Sequence, residues 1–238
     1  MFHLFGNKIS IFCFFLLLCS LSASAQRDKN YNYLDYQAKP YFFGITLAYN
    51  NLGFNILRSK KFAANDSIYR VDAFNATGFN LGVVTNLKLG EYFDLRFLPT
   101  LSFGERNLRY FAPRETVNYT ERKVESVFVE LPFHIRYKSA PYNDMRAFVI
   151  TGVKYSFDVA SDSRSRQSKN IVKISPTDFS VEVGAGIQFF FPYFIFSPEI
   201  KFSQGLSNSL IFDNKLEQST VIEKLYSRGF TLSLHFEG

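Results

Sequence analysis

Cysteine is nearly missing from this 238-residue chain: Cys13 and Cys19 are the only two, and tryptophan is absent altogether. Both cysteines lie in an N-terminal stretch that reads as removable. The remainder then has no disulfide, no thiol nucleophile and no thiolate metal ligand. Histidine is almost as scarce. Once that stretch is gone only His134 and His235 remain, without the close-spaced ligand pair that a metal site needs. Charge of one sign is also in short supply. The formal charge is +6, and Lys8 is the only charged residue before Gln26, so the rest carries +5. So modest an excess, spread along the chain with no Lys/Arg-dense helix, excludes a nucleic-acid footprint. There is no P-loop, no Gly-rich dinucleotide turn and no zinc spacing, so no cofactor is expected.

What the chain does have begins with an address. Lys8 supplies a positive n-region, Ile11 to Leu18 an apolar run, and Ala23-Ser24-Ala25 a small-x-small cleavage site before Gln26. The run is too short for a comfortable membrane span. Leu18 is bulky where a lipoprotein signal needs a small residue, so cleavage is expected after Ala25 rather than lipidation at Cys19. Residues 1–25 are therefore read as a signal peptide. Residues 26–40 are polar and Tyr-rich with no apolar period, and read as a periplasmic extension. Its Tyr31, Tyr33 and Tyr36 are candidate partner-docking anchors; a tether whose tyrosines rest at the membrane interface is the alternative.

From residue 41 onward the chain repeats one behaviour. Eight stretches (41–50, 78–89, 93–103, 127–137, 149–159, 179–191, 194–203 and 230–237) alternate apolar with small or polar residues, and period two at this length predicts strands. Alternation alone also fits a soluble lipocalin-like barrel. Three features favour lipid. The apolar faces, with Val129, Leu131, Val183, Ile187 and Leu232 among them, carry no charge. The opposite faces hold Asp94, Arg96, Glu130, His134, Arg136, Lys154, Glu182, Glu199, Lys201 and His235, a polar-in pattern. The strands are also long enough to cross hydrocarbon when tilted. Finally, the links alternate strictly. Gly90-Glu91, Lys138 to Met145 and Pro192 are short. Asn51 to Ala73, Gly104 to Lys123, Ala160 to Pro176 and Gln204 to Lys224 are long.

These features predict an all-β protein, an eight-stranded antiparallel transmembrane barrel over residues 41–238 in a Gram-negative outer membrane. Both termini and the short turns are placed in the periplasm, and the long loops outside. Tyr41-Phe42-Phe43, Tyr92-Phe93, Tyr137, Tyr142, Phe189-Phe190-Phe191 and Tyr193-Phe194 would form an aromatic belt at the short-turn end. The partners are outer-membrane lipid and lipopolysaccharide, whose phosphates the basic run Arg164 to Lys169 could touch; a solvated loop is the default for that run. Eight strands leave a lumen just wide enough for side chains. Mixed inward charge, with Lys88 and Asp158 added to the residues above, suits mutual pairing in a closed plug. A hydrolase site built from a histidine, a carboxylate and Ser102, Ser180 or Ser203 can be imagined. No motif surrounds either histidine, however, and a buried lumen needs paired polar groups whatever it does. The protein is therefore read as non-enzymatic.

Four segments stand out: Pro40-Tyr41-Phe42-Phe43-Gly44-Ile45-Thr46-Leu47 with its continuation to Phe54-Asn55-Ile56, Gly90-Glu91-Tyr92-Phe93-Asp94-Leu95-Arg96-Phe97-Leu98-Pro99, Glu130-Leu131-Pro132-Phe133, and Phe196-Ser197-Pro198-Glu199-Ile200-Lys201-Phe202-Ser203-Gln204-Gly205. They resemble the PorT family, an outer-membrane component of the type IX secretion and gliding machinery. The match spans nearly all of residues 26–238, although related barrels share the Leu-Pro and Ser-Pro-Glu pieces. The resemblance implies a role in secretion or gliding beside other type IX components, and brings no catalytic residue. Ser227, Gly229, Leu232 and Leu234 also resemble the terminal signal that the barrel-insertion machinery captures, though the chain runs on to Gly238 where many barrels end on an aromatic. A merely inward-facing Gly229 is the alternative.

Overall fold

Period-two alternation becomes a ring of eight antiparallel strands. The computed structural model describes residues 32–59, 70–111, 119–159, 173–211 and 222–238. The stretch 1–25 expected to be a signal peptide, Tyr31 and the Arg164 to Lys169 run lie outside the described residues. After a short helix α1 (Asn32–Gln37) come β1 (Tyr41–Arg58), β2 (Arg70–Lys88), β3 (Phe93–Phe97), β4 (Thr100–Phe111), β5 (Tyr119–Lys138) and β6 (Met145–Asp158). The chain continues through β7 (Lys173–Ile174), β8 (Thr177–Phe190), β9 (Ile195–Gly205), β10 (Leu210–Ile211) and β11 (Ile222–Glu237). Each barrel strand pairs with its neighbour. β1 closes the ring by pairing with both β2 and β11, from Gly44↔Glu237 to Arg58↔Ile222 on the β11 side. No strand of the ring is left with an open edge. β7 and β10 pair separately, at the long-loop end.

The third strand is not continuous. It divides into β3 and β4 at Leu98-Pro99, because Pro99 has no N–H to give the ladder. Leu98 turns fully inward, and the Pro99 carbonyl still accepts from Val83 N at 3.0 Å.

The larger correction concerns the long links, much of which is strand. β1 runs on to Arg58 and β2 begins at Arg70; β4 reaches Phe111 and β5 starts at Tyr119; β11 begins at Ile222 rather than Phe230. The outward-apolar pattern was lost there for a physical reason, because the sense of the alternation reverses. Phe54, Val71, Leu108, Leu210, Ile222 and Leu225 are buried together inside the ring. Asn55, Arg70, Asn75, Glu223 and Lys224 face outward. Among the described residues the short-turn part of the ring is thus apolar outside and polar inside, whereas near the long links Phe54, Val71, Leu108, Ile222 and Leu225 give it an apolar interior.

Two belt assignments are also corrected. Phe42 and Phe190 point inward and are nearly fully buried, whereas Tyr41, Phe43 and Phe191 stay on the outside. Residues 26–40 are not all irregular either. α1 packs Tyr36 against Phe42, Phe190 and Ile195, and Tyr33 meets the edge of Phe190 at 5.8 Å between ring centroids.

Candidate functional site

Inward positions on consecutive strands meet at the same height, so the lumen assembles charge from every wall. Arg96 of β3 donates to Glu199 of β9 at 3.0 Å and to Glu237 of β11 at 2.7 Å, with all three side chains excluded from solvent. Arg136 of β5 reaches Asp94 at 2.6 Å and lies 3.6 Å from Glu237. Lys138 Nζ donates to the second Asp94 oxygen at 2.6 Å. Further along, Lys154 bridges Glu130 and Glu182, each at 3.1 Å. His134 Nε2 sits 2.7 Å from Glu182, while His235 Nε2 and Lys201 flank Glu199 at 3.4 and 3.7 Å. The ten polar residues singled out on the inward faces thus fall into two networks: Asp94, Arg96, Arg136, Glu199, Lys201 and His235, joined through Glu237, and Glu130, His134, Lys154 and Glu182.

Glu237 and Lys138 belong to this network as well. Parity put Glu237 on the inward face, but nothing in the sequence marks it as the carboxylate that two arginines face. Inward glycines make room for the larger groups. A Cβ on Gly186 would lie 2.5 Å from the Phe148 ring, and one on Gly152 would lie 2.8 Å from the His134 ring. The pocket between Thr46, Asn80, Glu130, Glu182 and Lys201 at mid-lumen holds about 10 Å³. That is the lower limit for a single water molecule. The lumen is a filled interior.

Of the serines weighed as nucleophiles, Ser102 accepts from Asn50 Nδ2 at 3.1 Å and Ser203 donates to the Gly229 carbonyl at 3.4 Å. Among the described residues, no serine hydroxyl hydrogen-bonds to either histidine. Gly229 is inward-facing and has a packing reason to be glycine, since a Cβ there would lie 2.9 Å from both Leu52 Cδ2 and Ser203 Oγ. Ser227 faces inward beside it, while Leu232 and Leu234 point outward. Val183, Ile187 and Leu232 are well exposed on the outer wall, and Val129 and Leu131 are half-buried there.

At the short-turn end α1 lies across the mouth. Asp144, in the β5–β6 turn, accepts from Tyr33 N and Asn32 Nδ2, both at 3.3 Å, and so satisfies a first-turn donor of the helix. Tyr36 Oη donates to the Phe191 carbonyl at 3.1 Å. Burial and the neighbouring Asp35 raise the Tyr36 phenol above its ordinary pKa, so it remains a neutral donor. Lys88 Nζ donates to the Tyr36 and Gln37 carbonyls and caps the helix C-terminus. The reading of Tyr36 as an exposed docking anchor is thereby corrected. Its ring faces the barrel's own aromatics, and Tyr33 is half-buried beside it.

Tyr36→Ala should release α1, with a loss of up to about 3 kcal/mol for the removed aromatic. Hydrogen exchange at Lys39 N–H, which donates to the Tyr36 carbonyl at 3.3 Å, would report it. Unchanged protection there would mean that other contacts hold the helix. Beneath and beside α1 a cavity of about 470 Å³ remains, walled by Phe42, Phe190, Lys88, Lys138 and Arg146 and floored by Asp94 and Arg136.

Residues 25–210 match the family model described as an outer membrane protein beta-barrel domain. No curated protein matches the chain significantly. Similar solved structures include the outer membrane protein OprG from Pseudomonas aeruginosa, at 8% identity over 83% of this chain and 93% of that one, with a TM-score of 0.47. Neisserial surface protein A is 9% identical over 83% and 96%, with a TM-score of 0.42. Ail, the attachment invasion locus protein of Yersinia pestis, solved with the heparin analogue sucrose octasulfate, is 13% identical over 84% and 100%, with a TM-score of 0.37.

Proposed function

This chain belongs to the outer membrane protein beta-barrel domain family, and on that premise we propose that it is a non-enzymatic accessory of type IX protein export and gliding. The filled lumen carries the mechanistic part of the reading. A barrel whose mid-lumen pocket holds about 10 Å³, in a section crossed by buried ion pairs, is not a conduit for a protein. It acts through a partner, as an assembly or positioning element. The PorT-like segments along β1, β3, β5 and β9 supply the link to type IX components. The orientation follows the short-turn rule, with both termini periplasmic and the long-loop end outside. The insertion machinery is proposed to capture β11 through Ser227, Gly229, Leu232 and Leu234, and the outward wall to meet lipid.

The short-turn end is the favoured docking surface. There Leu34 of α1 and Tyr193 of the β8–β9 turn stay exposed, Tyr193 at 90%. A clean deletion should trap type IX cargo in the periplasm while other outer-membrane barrels insert normally. Fractionation and immunoblotting of a cargo protein measure this, and normal export would remove the secretion role.

A second reading has one observation in its favour. The long-loop end has its own buried apolar cluster, which would support a surface adhesin's loops. Retained export in the deletion strain together with lost surface attachment would establish that reading. The porin-like variant is disfavoured by the same closed lumen.

A further inference from the structure

Positive charge at the short-turn mouth outruns its partners. Deeper in the lumen Arg96 has two carboxylates, Lys154 has two and Lys201 shares Glu199, while Arg106 lies over the Phe54 and Phe128 rings. At the mouth the pattern breaks. Lys88, Arg136, Lys138 and Arg146 line one cavity, whose only carboxylates are Asp94 and Glu91. Asp94 is fully buried and already engaged by Arg136 and Lys138. Arg146 has no carboxylate partner among the described residues; its Nε and Nη2 donate to the carbonyls of Ser139 and Glu91 at 2.9 and 3.0 Å. Lys88 is held by two helix carbonyls and lies 4.7 Å from the Phe42 ring centroid, with no carboxylate ion pair among the described residues. On the floor, Arg136 Nη1 is buried without a hydrogen-bond partner, with Glu237 Oε1 3.6 Å away. Cations gathered in a partly desolvated space repel one another unless an anion joins them.

We propose that this cavity binds a phosphate-class oxyanion, either a free phosphate or monoester or the phosphate of a lipid head group. The proposal does not depend on the export role. Charge favours phosphate over a single carboxylate, because the excess is more than one positive charge. The donors also suit it: Lys138 and Lys88 act as point charges with N–H groups to spare, and Arg146 Nη1 carries further donors. Volume and walls add to the case. About 470 Å³ exceeds a bare phosphate and lies in the range of small-ligand sites. The rings of Phe42 and Phe190 would cover an attached organic group. The rim, Gln37 to Lys39 and Leu89 to Glu91, is exposed, so the space is reachable from that end.

The test is calorimetric titration of the full chain, folded in a maltoside detergent, with inorganic phosphate and with glycerol 3-phosphate. Ionic strength is held constant with chloride. One saturable site is expected. Lys138→Gln with Arg146→Gln should weaken it at least about tenfold, the effect of one lost charge-assisted bond. Arg228→Gln, at the opposite end, should leave it unchanged. If Lys138→Gln prevents folding by unbalancing Asp94, Arg146→Gln alone carries the test, because its partners are only carbonyls. Glycerol 3-phosphate binding more tightly than phosphate, with lipid phosphorus co-purifying with the unmodified chain and lost from the variant, would assign a lipid head group. Tighter free phosphate would assign a soluble ligand. Either result supports the site. No saturable binding to the folded chain, equal binding by the folded variant, or glutarate bound as tightly as phosphate would overturn it.

Discussion

Arg96→Met is expected to lower the unfolding free energy of the barrel by about 3–5 kcal/mol, the typical loss when one partner of a buried ion pair is removed. Arg96 is fully buried between Glu199 and Glu237, at 3.0 and 2.7 Å. Methionine fills similar space but leaves two carboxylates facing each other. Glu199 keeps His235 and Lys201, and Glu237 keeps the Ser197 hydroxyl at 3.3 Å and the Arg136 guanidinium at 3.6 Å. Adding Glu237→Gln to Arg96→Met should recover part of the loss, since a charge deleted with its partner is cheaper than a charge left alone. Urea titrations of barrels refolded in lipid vesicles measure both variants. A loss within about 0.5 kcal/mol, the range of ordinary surface changes, would mean that the carboxylates find protons or other cations without cost.

The second large effect lies on the other face of the same wall. Val183→Arg should cost about 2–4 kcal/mol if that position is near the bilayer midplane. Val183 is 52% exposed and pairs with Thr151 on β6 and Phe202 on β9. Alternation alone offers Glu182→Gln as the mild comparison, because a charge on the lumen side looks dispensable. Its contacts rule that out: Glu182 holds Lys154 at 3.1 Å and His134 at 2.7 Å. Thr151→Ala, beside Val183 on the outer wall, is the better control and should change stability little. Equal loss of vesicle-inserted barrel in Val183→Arg and Thr151→Ala would mean that this wall does not meet hydrocarbon.

The membrane half of the fold was legible because one rule governs every strand there. Lipid forbids outward charge, so parity at Asp94, Arg96, His134, Arg136 and Glu182 could be read residue by residue. The long-loop half was not, because Phe54, Val71 and Leu108 obey the opposite rule, and a template of apolar-out alternation classes them as loop. The break at Leu98-Pro99 was visible as a proline, but its consequence, an inward Leu98, depends on which strand accepts from and donates to its neighbours. The candidate site divides in the same way. Lumen membership follows from period two. The cavity beneath α1 does not, because it exists only where a six-residue helix folds back on the barrel. Tyr36 and Asp144 are far apart in sequence, and no local pattern announces that Asp144 accepts from the helix. Lys88 looked like another inward cation; only the fold reveals that its partners are the Tyr36 and Gln37 carbonyls.

The reversal of polarity along β1, β2 and β11 has a consequence for robustness. Along the barrel lie zones of unlike chemistry: tilted aromatic rings under a helix, a mesh of ion pairs, and an oily knot of Phe54, Val71, Leu108 and Ile222. Acid that protonates carboxylates loosens the mesh and leaves the knot intact, while an agent that dissolves the knot leaves the mesh. A cell carrying this protein is therefore insulated in series, and no single point lesion should turn it into a leak.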